Sequence, residues 1–154
     1  MRTPNKWDYR YLCLAKHVAG WSKDPSTRVG AVITLDNHVV SLGFNGLPRG
    51  VQDTPMRLQA RELKYKLIVH GEMNAMNFAS CPLKGATLYT YPFMPCSVCA
   101  GSVIQHGFKE IVAPYSDNQR WKESFDLTEM ILREAGVELL LVHGDIIEYD
   151  LVVP

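Results

Sequence analysis

Between Ala86 and Val142 the apolar pattern changes period repeatedly, and this alternation limits the fold more than any other feature of the chain. Ala86 to Tyr91, Glu110 to Ala113 and Val137 to Val142 read as short strands, rich in β-branched and large apolar residues. Between them Pro95 to His106 and Trp121 to Ala135 read as helices, stopped by Gly107 and Gly136. Pro95 suits the first turn of its helix, where a missing N–H costs nothing. Each strand–helix–strand passage is long enough for a crossover connection, so part of the sheet is expected to be parallel.

The first half reads differently. From Trp7 to about Trp21 the residues Tyr11, Leu14, Ala15, Val18 and Ala19 recur at steps of three and four, which predicts an amphipathic helix. Asp24-Pro25-Ser26-Thr27 is turn chemistry. Val29 to Leu35 and Val39 to Leu42 flank Asp36-Asn37, which predicts a hairpin. Gly43 to Gly50 reads as a loop, Gln52 to Lys66 as loop plus a short helix, and His70 to Ala79 as a helix. About five strands and at least four helices give an α/β layered fold, with residues 1–154 forming one domain.

Lys+Arg equals Asp+Glu at 16 each, so the formal net charge is zero. Such a chain is a poor candidate for a nucleic-acid partner, which needs a field that attracts phosphates. A small anion remains open to it, because one or two placed cations suffice. No apolar run approaches the ~20 residues of a membrane span, and Met1 to Asp8 lacks the apolar core of a signal peptide. Four cysteines are too few for a disulfide scaffold, and two of them form a Cys-x-x-Cys pair. A cytoplasmic location is therefore expected.

His70-Gly71-Glu72 opens one helix and Pro95-Cys96-Ser97-Val98-Cys99 opens another. His-x-Glu followed by Pro-Cys-x-x-Cys is the known mark of zinc deaminases. A catalytic zinc takes three protein ligands and keeps a fourth position for water. His70, Cys96 and Cys99 supply one imidazole and two thiolates, and the cysteines, three apart at a helix start, share a face near the positive end of its dipole. Two thiolates balance Zn²⁺, and zinc lowers the pKa of its water to roughly 7 in favourable sites. His70 at a cap position allows Glu72 to reach the same point as general acid and base, passing a proton to the ring N3 and the leaving ammonia. Gly71 exposes a backbone N–H suited to the pyrimidine O2. A structural zinc site wants a fourth protein ligand; His17, His38, His106, His143, Cys13 and Cys81 can each be nominated, but none sits at ligand spacing.

With these residues in place the chain resembles the deoxycytidylate (dCMP) deaminase family of the cytidine deaminase-like superfamily, over Trp7 to about Val142. Ser22-Lys23-Asp24-Pro25-Ser26-Thr27-Arg28-Val29-Gly30-Ala31-Val32-Ile33 and Gly43-Phe44-Asn45-Gly46-Leu47-Pro48-Arg49-Gly50 carry the resemblance beyond the metal motif. It implies a three-layer α/β/α sandwich on a five-stranded mixed sheet. It implies hydrolysis of dCMP to dUMP and ammonia, and a homo-oligomer, often a hexamer, controlled by dCTP and dTTP with Mg²⁺ accompanying the effector. Asn45 matches the asparagine that binds the sugar and phosphate side of the nucleotide, and Tyr115 follows the strand where the family places a loop over the substrate. Arg28 and Arg49 are candidate phosphate partners. Gly71 stands where the family usually has alanine, which frees the backbone and can alter substrate preference. Val51 to Val69, where parts of the effector site lie in the family, is short.

Rival readings share the metal. Cys99-Ala100-Gly101 resembles the tRNA adenosine deaminases, and a deaminase of dCTP or of a 5-modified dCMP fits the same motif. A binding module that keeps zinc without catalysis is opposed by Glu72. A thiol-redox protein is the remote alternative.

Overall fold

The computed structural model describes residues 2–146; the ends of the expected domain, residue 1 and residues 147–154, lie outside the described residues. Helix α1 (Lys6–Ala19) is followed by strands β1 (Gly30–Leu35) and β2 (His38–Phe44), then by helices α2 (Pro55–Gln59), α3 (Arg61–Leu67) and α4 (Gly71–Phe78). Strand β3 (Thr87–Tyr91), helix α5 (Ser97–Gln105), strand β4 (Glu110–Pro114), helix α6 (Lys122–Ala135) and strand β5 (Glu138–Val142) follow within the described residues, with a 3-10 turn at Gln119–Trp121.

The five strands form one sheet in the order β2-β1-β3-β4-β5. β1 pairs antiparallel with β2 and β3, whereas β3–β4 and β4–β5 are parallel. The two crossovers therefore do what their lengths require. Asp36 and Asn37 both take positive φ (52° and 62°), the conformation a two-residue hairpin turn demands.

Strand alternation sorts the core into two faces. Ala31, Ile33, Leu88 and Ile111 pack with Ala75 and Met76 of α4, Ala100 and Val103 of α5 and Leu132 of α6. Val32, Tyr89, Val112 and Leu140 face the other way, against Tyr11, Leu12 and Ala15 of α1. The result is the expected three-layer sandwich. Ile33, Leu88 and Ile111 are fully buried, each contributing about 1.5–3 kcal/mol of transfer free energy.

Four local expectations shift. α1 ends at Ala19 and leaves Trp21 half exposed. β2 runs on through Gly43 to Phe44, because Gly43 lets α4 come close: a Cβ there would lie 2.3 Å from the Ala75 nitrogen. The polar stretch 52–66 holds two short helices, one capped by Thr54. Pro95 lies outside α5, since Cys96 is the cap (φ −66°, ψ 167°) and the helix starts at Ser97.

Candidate active site

Two chain reversals at one end of the strands, after β2 and after β3, build the site. After α3 the chain bridges back to the end of β2, with Val69 N–H bonded to the Gly46 carbonyl (2.8 Å) and Gly46 N–H to that of Val69 (3.1 Å). His70 follows at once as the cap of α4, in extended conformation (φ −67°, ψ 153°). α4 is tied to β2 by the Ser41 hydroxyl, which donates to the Ala75 carbonyl (2.6 Å), and by Asn74 Nδ2, which donates to that of Phe44 (2.8 Å). α6 braces the second reversal: Thr128 Oγ1 donates to the Pro95 carbonyl (3.0 Å) and Ser97 N–H donates to Ser124 Oγ (3.1 Å).

These anchors bring His70, Cys96 and Cys99 together. His70 Nδ1 lies 3.2 Å from Cys99 Sγ and 3.5 Å from Cys96 Sγ. The three ligand atoms all lie within 4.8 Å of one another, and among the described residues no other His, Cys, Asp or Glu group gathers so. Cys96 accepts the Cys99 N–H (3.5 Å). Hydrogen bonding from the Cys99 thiol and from His70 pulls Cys96 down to about 4, against its burial. Cys99 is pushed up, first by that bond to Cys96 and then by burial. His70 is raised by its bond to Cys96.

Glu72, two residues on, is buried, and burial pushes its carboxyl up. Its Oε2 is the one buried side-chain oxygen or nitrogen among the described residues without a hydrogen-bond partner. An orphaned carboxylate oxygen beside a one-imidazole, two-thiol cluster is what a zinc site with an open water position leaves behind. The donor set and its spacing fit the metal.

His70 and Cys96 of the triad, together with Glu72, line a partly open cleft. Phe93, Trp121 and Phe125 wall it, with Phe93 centred 5.4 Å from Phe125 and 6.0 Å from Trp121. Such a wall accepts a planar ring. Asp24, Ser26, Thr27, Asn45 and Lys64 supply its polar lining.

The other nominated residues separate into two groups. Asn45 and Gly71 line the cleft. The Asn45 side chain is also a brace: Oδ1 accepts the Val29 N–H (2.9 Å), and Nδ2 donates to the Thr27 carbonyl (2.9 Å) and Asp24 Oδ2 (3.3 Å). Gly71 is buried, has no positive φ, and sits where a Cβ would come 3.1 Å from the Val29 oxygen. Compactness rather than backbone freedom is what glycine confers there. Arg28 reaches the Gly20 carbonyl, Arg49 lies over the Phe78 ring, and Tyr115 stacks on His143 at 4.5 Å; none of the three lines the cleft. Lys64 was not legible as a site residue. It is a buried lysine on a seven-residue helix, bonded through Nζ to Asp24 Oδ1 at 3.0 Å. Its partner lies 40 residues away, and no local pattern links the two.

A metal position able to hold water, a carboxylate free to carry a proton and an aromatic cleft for a flat ring are the parts of a hydrolytic reaction on a heterocycle. On this sheet they define a zinc-dependent deaminase. The chain belongs to the cytidine and deoxycytidylate deaminase family, whose zinc-binding region matches residues 5–114. It is 40% identical over 147 residues to an uncharacterized deaminase of the luxG 3' region in Aliivibrio fischeri, covering 94% of this chain and 99% of that one. It is 36% identical over 139 residues to the deoxycytidylate deaminase of Mus musculus, covering 86% and 77%. The dCMP deaminase of cyanophage S-TIM5, solved with dCMP and dUMP, shares the fold at a TM-score of 0.71 and 20% identity, over 92% of this chain and all of that one.

Proposed function

We propose that this chain hydrolyses dCMP to dUMP and ammonia, supplying dUMP for thymidylate synthesis. Its relation to deoxycytidylate deaminases over 86% of its length supports the substrate. The observation that carries the reaction is the buried, unpartnered Glu72 oxygen beside the triad.

His70, Cys96 and Cys99 would hold zinc, which when bound supplies the Lewis acidity that makes water nucleophilic at neutral pH. Glu72 takes one proton from the attacking water and delivers it to the ring N3, then carries the second to the exocyclic nitrogen, which leaves as ammonia. Burial lifts the Glu72 carboxyl above its ordinary range, which suits a group that must both accept and return a proton. The Gly71 N–H lies at the start of α4, among those that no carbonyl within the helix accepts, which supports a role in holding the pyrimidine O2. Phe93, Trp121 and Phe125 keep the ring flat and exclude water.

The finer parts of the reading rest on the resemblance. Residues 1–154 act as one deaminase domain, in a homo-oligomer of up to six chains, in the cytoplasm. No described helix is long and apolar enough to cross a membrane. Control by dCTP or dTTP, with Mg²⁺ on the effector, would have to work through a short Val51 to Val69 segment.

A deamination panel tests the proposal: deoxycytidine, dCMP, dCTP, 5-methyl-dCMP and a tRNA anticodon stem-loop. The expected result is a kcat/KM for dCMP above that for deoxycytidine by at least ~100-fold, from two charge-assisted phosphate contacts. Equal rates on the two would replace the nucleotide reading with a nucleoside one. Preference for dCTP, or activity on the stem-loop alone, would move the chain to another branch.

A further inference from the structure

The ring end of the substrate has its partners in the triad, Glu72 and the aromatic wall. None of these carries a positive charge toward a phosphate once a metal neutralises the thiolates. Of the arginines nominated from sequence, neither lines the cleft. Lys64 lines it; Arg61 and Arg120 do not, but with Lys64 they gather on one side chain that does. Tyr65 lines the cleft and is half exposed. Its hydroxyl accepts from Arg61 Nε at 3.0 Å and from Arg120 Nη2. Arg61 also lies 5.6 Å, and Lys64 Nζ 5.5 Å, from the Tyr65 ring centre. Arg120 sits over the ring of Trp121, itself part of the cleft wall.

Three cations therefore converge on one phenol, from α3 and from the turn Gln119–Trp121, 55 residues apart. Of these three cations only Lys64 has a carboxylate partner, Asp24; among the described residues neither Arg61 nor Arg120 forms an ion pair. In a chain whose net charge is zero, this leaves two neighbouring guanidinium groups without a carboxylate in ion-pair contact. Like charges held together repel, and an incoming anion removes that repulsion. The surrounding groups suit a phosphate. Two guanidinium groups offer forked N–H donors, Lys64 keeps N–H protons beyond the one given to Asp24, and Ser26 and Thr27 line the same cleft.

We infer that Arg61, Lys64 and Arg120, gathered on Tyr65 at the rim of the cleft, seat the 5′-phosphate of the substrate. This rests on the reading of the substrate as a nucleotide. The three are specificity-determining residues; the ring chemistry belongs to Glu72 and the metal ligands. Tyr65 acts as a holder that keeps both guanidinium groups at the rim before the anion arrives.

The test uses the zinc-loaded enzyme and the ratio of kcat/KM for dCMP over deoxycytidine. Arg61 and Arg120 are exposed, so Arg61→Met and Arg120→Met, singly and together, leave the core untouched. Lys64 is buried against Asp24, so it is replaced as a pair, Lys64→Met with Asp24→Asn, to avoid stranding a buried carboxylate. The double arginine variant is expected to lower the ratio by ~10–100-fold and to weaken dUMP binding in calorimetry by a similar factor, with little change for deoxyuridine. The paired variant is expected to lower the ratio further. Equal losses on both substrates would mean a purely structural role and overturn the inference. A wild-type preference for dCMP that survives in every variant would place the phosphate elsewhere, leaving the substrate reading intact. A wild type with no such preference would remove both.

Discussion

At the scale of single residues, the chemistry is concentrated in Glu72, and its position makes three expectations at once. Glu72→Ala removes the proton carrier, so turnover should fall by at least ~10²–10⁴-fold while zinc content stays at wild-type level. It also removes a buried carboxylate with an unpartnered oxygen, so the variant should melt no lower than the wild type. Steady-state kinetics, metal analysis and a thermal melt check all three; activity within a few-fold of wild type would mean the proton moves through another group. These four residues, His70, Glu72, Cys96 and Cys99, were legible because spacing at each of two helix starts dictates what the pair there can share. Arg28, Arg49 and Tyr115 were nominated for residue type or place in the chain alone, and packing turned each toward a local partner instead. Lys64, Trp121 and Phe125 reach the cleft only through tertiary contacts, which no window of sequence displays.

At the scale of elements, the placement of α4 depends on a residue with no side chain. Gly43 in β2 faces α4 so closely that a Cβ would lie 2.4 Å from the Gly71 oxygen as well as 2.3 Å from the Ala75 nitrogen. Both obstacles are backbone, so neither can rotate away. Gly43→Ala should therefore lift the start of α4 off the sheet, at a cost of about 1–3 kcal/mol or more. Because that start carries His70, zinc affinity should fall together with stability, which urea unfolding with and without a chelator would measure. Unchanged stability and metal content would mean that α4 is free to shift. Gly43 reads from sequence as a loop residue, since glycine signals turns far more often than close packing. The hairpin at Asp36-Asn37 and both crossovers were legible because turn chemistry and period are local signals. The two helices within 52–66 were not, because their polar residues give no period to read.

At the scale of the whole molecule, the sheet is a composite. β3 pairs antiparallel with β1 on one side and parallel with β4 on the other. His70 enters before β3, and Cys96 and Cys99 after it. The metal site thus takes one ligand from the hairpin half of the fold and two from the crossover half. A zinc held by His70, Cys96 and Cys99 would rivet the seam between two substructures and would close the 26-residue span from His70 to Cys96, which the backbone ladder alone leaves to β3. Its removal should be felt unevenly. Hydrogen exchange after chelation should quicken at the starts of α4 and α5, while the β1–β2 hairpin and the β4–β5 pair keep their protection; uniform loss would show that the halves hold together without it. In a cell short of zinc, such a chain would not linger as a folded but idle enzyme. It would open at the seam, and the supply of one trace metal would set how much of the protein survives as well as how fast it works.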